Sequence, residues 1–433
     1  MDTIFEGLKG RALHGNITVP GDKSITHRAI ILAAIAQGES KIYHFLDGLD
    51  CNNTIMCMEH LGVRIEKVNN SFLKIAGKGL YGLRKPKKIL DVGNSGTTIR
   101  LLSGLLSGQN FNTTIDGDNS IRKRPMKRII QPLSFMNAKI HGKYHPYLAP
   151  LNITGSSLKG IEYTLQVASA QVKSAILLAG LYARGITIIK EPEITRDHTE
   201  RMLSLMKADI QYSMNHQITI KPGRNLVGTE IDIPGDISSA AYFLAAVCAQ
   251  KESEIVVQNV GINPTRVGFI EVLKEMGASL EIKNQKEIFN EPRANIKIKG
   301  ESLKAIQISK KMIASVIDEL PLVAVIATQA LGKTVVKDAQ ELRVKEADRI
   351  KAIVDGLSRM GANIIEREDG FEIFGPTPLK GSIVNSYNDH RIAMSLAVAS
   401  IYAEGKTVVQ DSEYINISYP GFMKTYYGLI NEY

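Results

Sequence analysis

Pro20-Gly21-Asp22-Lys23-Ser24 opens one stretch of this chain, and Pro234-Gly235-Asp236-Ile237-Ser238 opens another. The first continues through the apolar residues 29–36, the polar residues 37–40 and then Lys41-Ile42-Tyr43. The second continues through residues 240–249, the polar residues 250–253 and then Glu254-Ile255-Val256-Val257. Both contain PGD, LAA and a Gln followed by Glu-Ser. A polar opening, an Ala/Leu-rich run, a short turn and a β-branched run make one helix-and-strand unit, and the chain uses it twice.

Four weaker copies complete a set of six. They open at Gly93, Ser169, Asp318 and Asp389, and the last two share the closing sequence Gly-Lys-Thr-Val-Val at 332–336 and 405–409. Openings about 75 residues apart are too widely spaced for a solenoid and suit a compact mixed unit of helices and strands. The strong echo between the first and fourth copies divides the six into two groups of three. The expected fold class is therefore α/β (α+β), in two similar domains of three units each. Pro20-Gly21 and Pro234-Gly235 are either the two chain crossings between domains or ordinary turns.

The chain has 433 residues, 44% hydrophobic and 22% charged, which is more than one hydrophobic core usually serves. Its net charge of +9, from 53 Lys and Arg against 44 Asp and Glu, favours an anionic partner. Trp is absent and the basic residues are scattered, so a small anion fits better than nucleic acid. Cys51, Cys57 and Cys248 have no metal-ligand spacing and no disulfide pattern. Residues 1–21 carry no signal or transit character, and no apolar run approaches the ~20 residues of a membrane helix. A cytoplasmic protein is expected.

Each repeat puts polar residues at a helix start, where unpaired N–H groups and the helix dipole favour anions. Lys23, Ser24 and Arg28 head the first copy; Asn94, Ser95, Gly96 and Thr97 the second; Ser169, Ala170, Gln171 and Lys173 the third. Asp318 with Glu319, and Asn388 to Arg391, head the last two. Between repeats lie Arg122 to Arg124, before Pro125, and Arg343, Lys345, Glu346 and Arg349. Blander readings stand beside these. Asp318 and Glu319 could serve only the helix dipole, Glu346 and Arg349 could form a solvated ion pair, and Lys123, Lys127 and Arg128 suit a solvated face. His390 suits a packed histidine. Gly77, Gly79 and Gly82 fit GxGxxG, but Pro86 and basic residues follow where a helix must begin; the two Gly-Lys-Thr sequences lack the earlier P-loop glycine and lead into strands.

Seven segments, PGDKSITHR at 20–28, GNSGTT at 93–98, KRPM at 123–126, ASAQVKSA at 168–175, IDELP at 317–321, LRVKEADR at 342–349 and NDHR at 388–391, together resemble the signature of the enolpyruvylshikimate-phosphate synthases. The resemblance implies a two-domain inverse α/β barrel, each domain built of three βαβαββ units, with one domain over 21–234, a second over 1–20 plus 235–433, and ligands in the cleft between them. It assigns Lys23, Ser24, Arg28, Ser169, Gln171, Arg196, Asp318 and Lys345 to shikimate 3-phosphate. It assigns Lys23, Gly96, Arg124, Gln171, Arg349 and Arg391 to phosphoenolpyruvate. The implied reaction joins the enolpyruvyl group to the 5-hydroxyl of shikimate 3-phosphate on the path to chorismate and the aromatic amino acids. Asp318, Glu346 and Lys23 are the candidates for proton transfer, and no cofactor, metal or covalent nucleophile is required. The implied partners are the two small substrates, with no nucleic acid and no membrane, for a monomer.

Ala170, Ile417 and Glu341 depart from many members of that family, at places where those members have Ser, Lys and Asn. With Arg196 in TRDHTE, these departures resemble a second bacterial subgroup. Two alternatives remain. The UDP-N-acetylglucosamine enolpyruvyl transferases share the fold, but residues 116–123 lack the Cys usual there and Ser24 replaces an Asn. A non-catalytic anion or nucleic-acid binder on the same scaffold is the other, and it would have no reason to keep Asp318 and Glu346.

Overall fold

The computed structural model describes residues 1–213 and 215–431. The chain divides into two units: a first unit of Gly21–Ile233 with Ile288–Glu291, and a second of Met1–Pro20, Pro234–Glu287 and Pro292–Tyr433. Each has its own hydrophobic core.

Three helices fill the middle of the first unit: α1 (Lys23–Ala34), α2 (Gly96–Ser107) and α3 (Ala170–Gly180). Three more fill the second: α4 (Ile237–Val247), α5 (Leu320–Ala327) and α6 (His390–Ile401). Every residue of α4, α5 and α6 is buried. A helix apolar on all sides has no solvent face and must be surrounded by other elements.

The surrounding layer is made of small sheets. In the first unit one sheet runs Glu230–Asp232, Gln37–Tyr43, Phe72–Lys78, Arg64–Asn69; a second runs Leu90–Asp91, Asn112–Asp116, Leu151–Thr154, Lys139–Gly142; a third runs Glu162–Thr164, Thr187–Lys190, Gln217–Lys221, Asp209–Ser213. In each, the first two strands are parallel and the next two pairings antiparallel, so one crossover unit and one hairpin share a sheet. Ile218 and Ile220 are buried while their neighbours are partly exposed, the period-2 pattern of a sheet with one wet face. The second unit repeats the scheme around Glu254–Gly261 and Gly332–Val336. Its third sheet is shorter, with the N-terminal strand Thr3–Glu6 antiparallel to Lys406–Gln410. Helices inside and sheets outside make each unit an inverse α/β barrel of three parts.

The two Pro-Gly sequences are chain crossings. Strand His14–Thr18 precedes α1 but pairs in parallel with Glu254–Gly261, and strand Glu230–Asp232 precedes α4 but pairs with Gln37–Tyr43. The first and fourth repeats thus exchange their leading strands, with a Pro-Gly following each exchanged strand.

The polar openings are the first turns of the helices. Asp22, Ser95, Ser169, Asp236 and Asp389 each accept a backbone N–H of the first turn, at 2.8–3.4 Å. The fifth helix differs: Pro321 sits in its first turn, where a missing N–H costs nothing, and no side chain caps it. The expected turn at 37–40 is instead the start of strand Gln37–Tyr43, which pairs with Phe72–Lys78 from Gln37↔Lys78 onward. Gly77 allows this, because a Cβ there would lie 2.3 Å from the Ala36 carbonyl oxygen. Residues 77–82 form a strand end and a turn, and the two Gly-Lys-Thr sequences lead into strands Gly332–Val336 and Lys406–Gln410, so neither nucleotide motif has its helix.

Gly104 sets how closely α2 and α3 approach. A Cβ there would stand 2.1 Å from the Ala175 carbonyl oxygen, and backbone cannot yield as a flexible side chain does. Gly104→Ala should lower the unfolding free energy by about 2–4 kcal/mol in denaturant titration. A change under about 0.5 kcal/mol would show that the helices part easily.

Candidate active site

In the first unit, the N-terminal ends of α1, α2 and α3 carry a cationic cluster. Lys23 pairs with Asp50 at 3.1 Å, and both are largely shielded from water. Arg28 lies one turn further along α1, buried, and donates to Ser24 O at 3.0 Å, Thr199 Oγ1 at 2.6 Å and Ser174 Oγ at 2.9 Å. Burial pushes the Arg28 guanidinium down to about 10, with Glu200 opposing and Arg196 adding to the fall. The guanidinium is still charged at neutral pH.

At the start of α2 two more guanidiniums converge. A Cβ on Gly96 would lie 2.8 Å from Arg100 Nη1 and 3.0 Å from Arg124 Nη1, so both cations crowd the helix N-terminus. Arg124, 6% exposed, donates to Asn94 Oδ1 at 2.5 Å and to Ser120 Oγ at 3.0 Å. Arg100 donates to Gln171 Oε1 at 2.8 Å, and Gln171 Nε2 donates to Thr97 Oγ1 at 2.9 Å. Gln171 therefore links the starts of α2 and α3. Fixed N–H donors, a helix dipole and two guanidiniums form a ready anion site.

The second unit gathers carboxylates and cations at the starts of α4, α5 and α6. Arg349, 1% exposed, holds Asp389 Oδ2 at 2.7 Å, Glu346 Oε2 at 2.5 Å and Asp318 Oδ1 at 3.4 Å. Arg391 reaches Asp318 Oδ2 at 3.5 Å, the Asp318 carbonyl at 3.1 Å and Glu319 Oε1 at 3.4 Å. Arg266 lies 4.0 Å from Asp318 Oδ2 and donates to Ser238 Oγ at 2.7 Å. Burial works against the charges of Arg349 and Arg391. The carboxylates outweigh it, Asp389 and Glu346 beside Arg349 and Asp318 beside Arg391, and both stay above the ordinary arginine range. Lys345 goes the other way, because burial outweighs Asp318 and Glu341 and lowers it.

Two bland readings fail here. Glu346 and Arg349 are not a solvated i,i+3 pair, since Arg349 is buried among three carboxylates. Asp318 and Glu319 do more than complement a helix dipole: Glu319, at the N-cap position, makes no side-chain cap hydrogen bond but accepts from Ser238 Oγ and faces Arg391, and Asp318 meets Arg349 and Arg391. Lys123 and Lys127 are exposed, as a solvated face requires, and His390 is buried.

Lys23, Ser24, Arg28, Gly96, Arg124, Ser169, Gln171 and Arg196 belong to the first unit, and Asp318, Lys345, Glu346, Arg349 and Arg391 to the second. Sequence reasoning missed Asp50, Arg100 and Arg266, because their partners lie far along the chain. Among the described residues no group of three or more His, Cys, Asp or Glu is placed to hold a metal ion. No helix among them is long and apolar enough to cross a membrane.

Two three-part inverse barrels with charged groups at the N-terminal ends of their central helices define the class of enolpyruvyl transferases. The family described as EPSP synthase (3-phosphoshikimate 1-carboxyvinyltransferase) matches residues 8–426. This chain belongs to that family. It is 53% identical over 422 residues to a 3-phosphoshikimate 1-carboxyvinyltransferase of Thermoanaerobacter sp. (strain X514), covering 98% of this chain and 99% of the relative. It is 51% identical over 412 residues to the protein of that name in Bacillus cereus (strain 03BB102), covering 95% and 96%. The solved EPSP synthase of Acinetobacter baumannii superposes with a TM-score of 0.87 at 44% identity, covering 99% of this chain and 98% of that one.

Proposed function

We propose how these residues carry the family's reaction, in which the enolpyruvyl group of phosphoenolpyruvate goes to the 5-hydroxyl of shikimate 3-phosphate and phosphate is released. The product leads to chorismate and the aromatic amino acids. The substrate hydroxyl gives up its proton and attacks the phosphate-bearing carbon of the enol while the methylene carbon gains a proton. The resulting tetrahedral adduct expels phosphate and loses a methyl proton, which restores the double bond. One group must take the hydroxyl proton, and another must give and then recover the carbon proton.

Asp318 takes the hydroxyl proton, and Glu346 with Lys23 handles the carbon proton. Lys23, Ser24, Arg28, Ser169, Gln171, Arg196, Asp318 and Lys345 hold shikimate 3-phosphate. Lys23, Gly96, Arg124, Gln171, Arg349 and Arg391 hold phosphoenolpyruvate, the arginines binding its anionic ends. The observation that carries this reading is Arg349, one buried guanidinium that touches the two carboxylates among the three proton-transfer candidates, Asp318 at 3.4 Å and Glu346 at 2.5 Å. A cation there steadies both carboxylates and remains aimed at whatever anion sits between them. Three free, buried thiols suit a reducing cytoplasm.

The purified protein should release phosphate from phosphoenolpyruvate when shikimate 3-phosphate is the acceptor, and not when UDP-N-acetylglucosamine is. Release with the nucleotide sugar alone would transfer the chain to the sister transferases. No release with either, together with polynucleotide binding that weakens steeply in salt, would favour the non-catalytic binder.

A further inference from the structure

Behind the first-unit cluster lies a buried charge assembly that none of the roles above uses. Lys173, on the first turn of α3, is wholly buried. Its Nζ lies 2.9 Å from Glu191 Oε1 and 2.6 Å from Glu200 Oε1, and donates to the Thr195 carbonyl at 3.4 Å. Glu191 and Glu200 are buried too. Glu191 Oε1 also accepts from Thr195 N at 3.2 Å and from Thr195 Oγ1 at 2.6 Å, which folds residues 191–195 around that carboxylate. The next residue, Ser174, shares a 2.6 Å hydrogen bond with Thr199 Oγ1 and accepts from Arg28 at 2.9 Å. One turn of α3 therefore grips both ends of the segment from Glu191 to Glu200, and Arg196 lies between the gripped ends.

We infer that Lys173 is a positioning residue for the phosphorylated acceptor: it touches no substrate, but fixes the Glu191–Glu200 segment so that Arg196 is presented beside Arg28. The inference rests on the assignment of Arg196 and Arg28 to shikimate 3-phosphate. Three features support it. A buried lysine facing two buried carboxylates is costly to desolvate, and a methionine of similar length would pack there without the cost, so stability alone does not explain the arrangement. Glu200 is the strongest opponent of the burial that lowers Arg28, so the carboxylate that Lys173 holds also serves the guanidinium assigned to the acceptor. Burial raises Glu200, with Lys173 opposing, so removing the lysine alone would favour a protonated Glu200 and take away the charge that Arg28 faces.

The test uses a charge-balanced pair, Lys173→Met with Glu200→Gln, in the full-length enzyme. The expected result is a KM for shikimate 3-phosphate raised roughly 10- to 50-fold, with kcat and the KM for phosphoenolpyruvate within about threefold of the parent. Calorimetric titration of shikimate 3-phosphate alone should show the same loss. Glu191→Gln keeps the Lys173–Glu200 pair and should give the same split at roughly 3- to 10-fold. Equal effects on both substrates, or a fall in kcat alone, would mean that the cluster is only structural and would overturn the inference. An unchanged acceptor KM in Glu191→Gln would overturn it even if the double variant failed to fold. Arg196→Ala is measured alongside: if it leaves acceptor affinity unchanged, the substrate assignment fails. If Arg196→Ala weakens the acceptor and the Lys173 and Glu191 variants do not, the positioning role fails.

Discussion

Asp318→Asn should lower kcat for phosphate release by roughly a thousandfold or more, while leaving the folded protein within about 1 kcal/mol of the parent. Asparagine keeps the shape of the side chain and can still face Arg349 and Arg391, but it cannot accept a proton from a hydroxyl. The stability expectation follows from the distances. Asp318 lies 3.4 Å from Arg349, 3.5 Å from Arg391 and 4.0 Å from Arg266, whereas Arg349 has shorter contacts to Glu346 and Asp389. Asp318 is the carboxylate that most offsets the burial of Arg391, but Arg391 keeps Glu319 and the backbone carbonyl of residue 318 as partners, so the structural cost should stay small beside the kinetic one. Single-turnover phosphate release with both substrates saturating, beside a denaturant titration, reads both. A loss below tenfold would pass the base role to Glu346 or Lys23. A loss of several kcal/mol would make Asp318 a structural carboxylate.

How much of this was legible in the sequence depends on how far each residue stands from its partner. Asp22, Asp236 and Asp389 cap helices that begin at the next residue, so a local pattern of polar opening and apolar run found them. The two Pro-Gly sequences were visible as a pair, yet only strand pairing shows that they exchange strands between the first and fourth repeats. Glu346 and Arg349 were visible at i,i+3 spacing, but the third partner, Asp389, stands 40 residues further on, and it is this partner that distinguishes a buried network from a surface pair. Asp50 lies 27 residues from Lys23 and belongs to another helix, Leu49–His60, so no local signal marks it. Burial hides from sequence for the same reason: Lys173 is one more polar residue near a helix start until the tertiary structure closes over it. The family signature named the charged residues that would face substrates, and the fold adds those that hold them.

Arg349→Met should be the most destabilising single change in the second unit's cluster, lowering the unfolding free energy by about 3–5 kcal/mol. The wild-type guanidinium is buried and meets Asp389, Glu346 and Asp318, and methionine fills much of its volume while meeting none of their charge. The penalty is the charge left behind, chiefly on Asp389, whose side chain is fully buried and also accepts from the N–H groups of Arg391 and Ile392. This origin can be tested without reference to activity. Asparagine at 389 keeps an N-capping oxygen but carries no charge, so Arg349→Met with Asp389→Asn should recover about 1–2 kcal/mol of the loss. Arg349→Lys should fall between parent and Met, because an ammonium cannot span three carboxylates as a planar guanidinium does. Denaturant titration of the parent, Arg349→Met, Asp389→Asn and the double variant gives the coupling directly. If the double variant is as unstable as the sum of the singles, the cost lies in lost packing and not in an unpaired carboxylate.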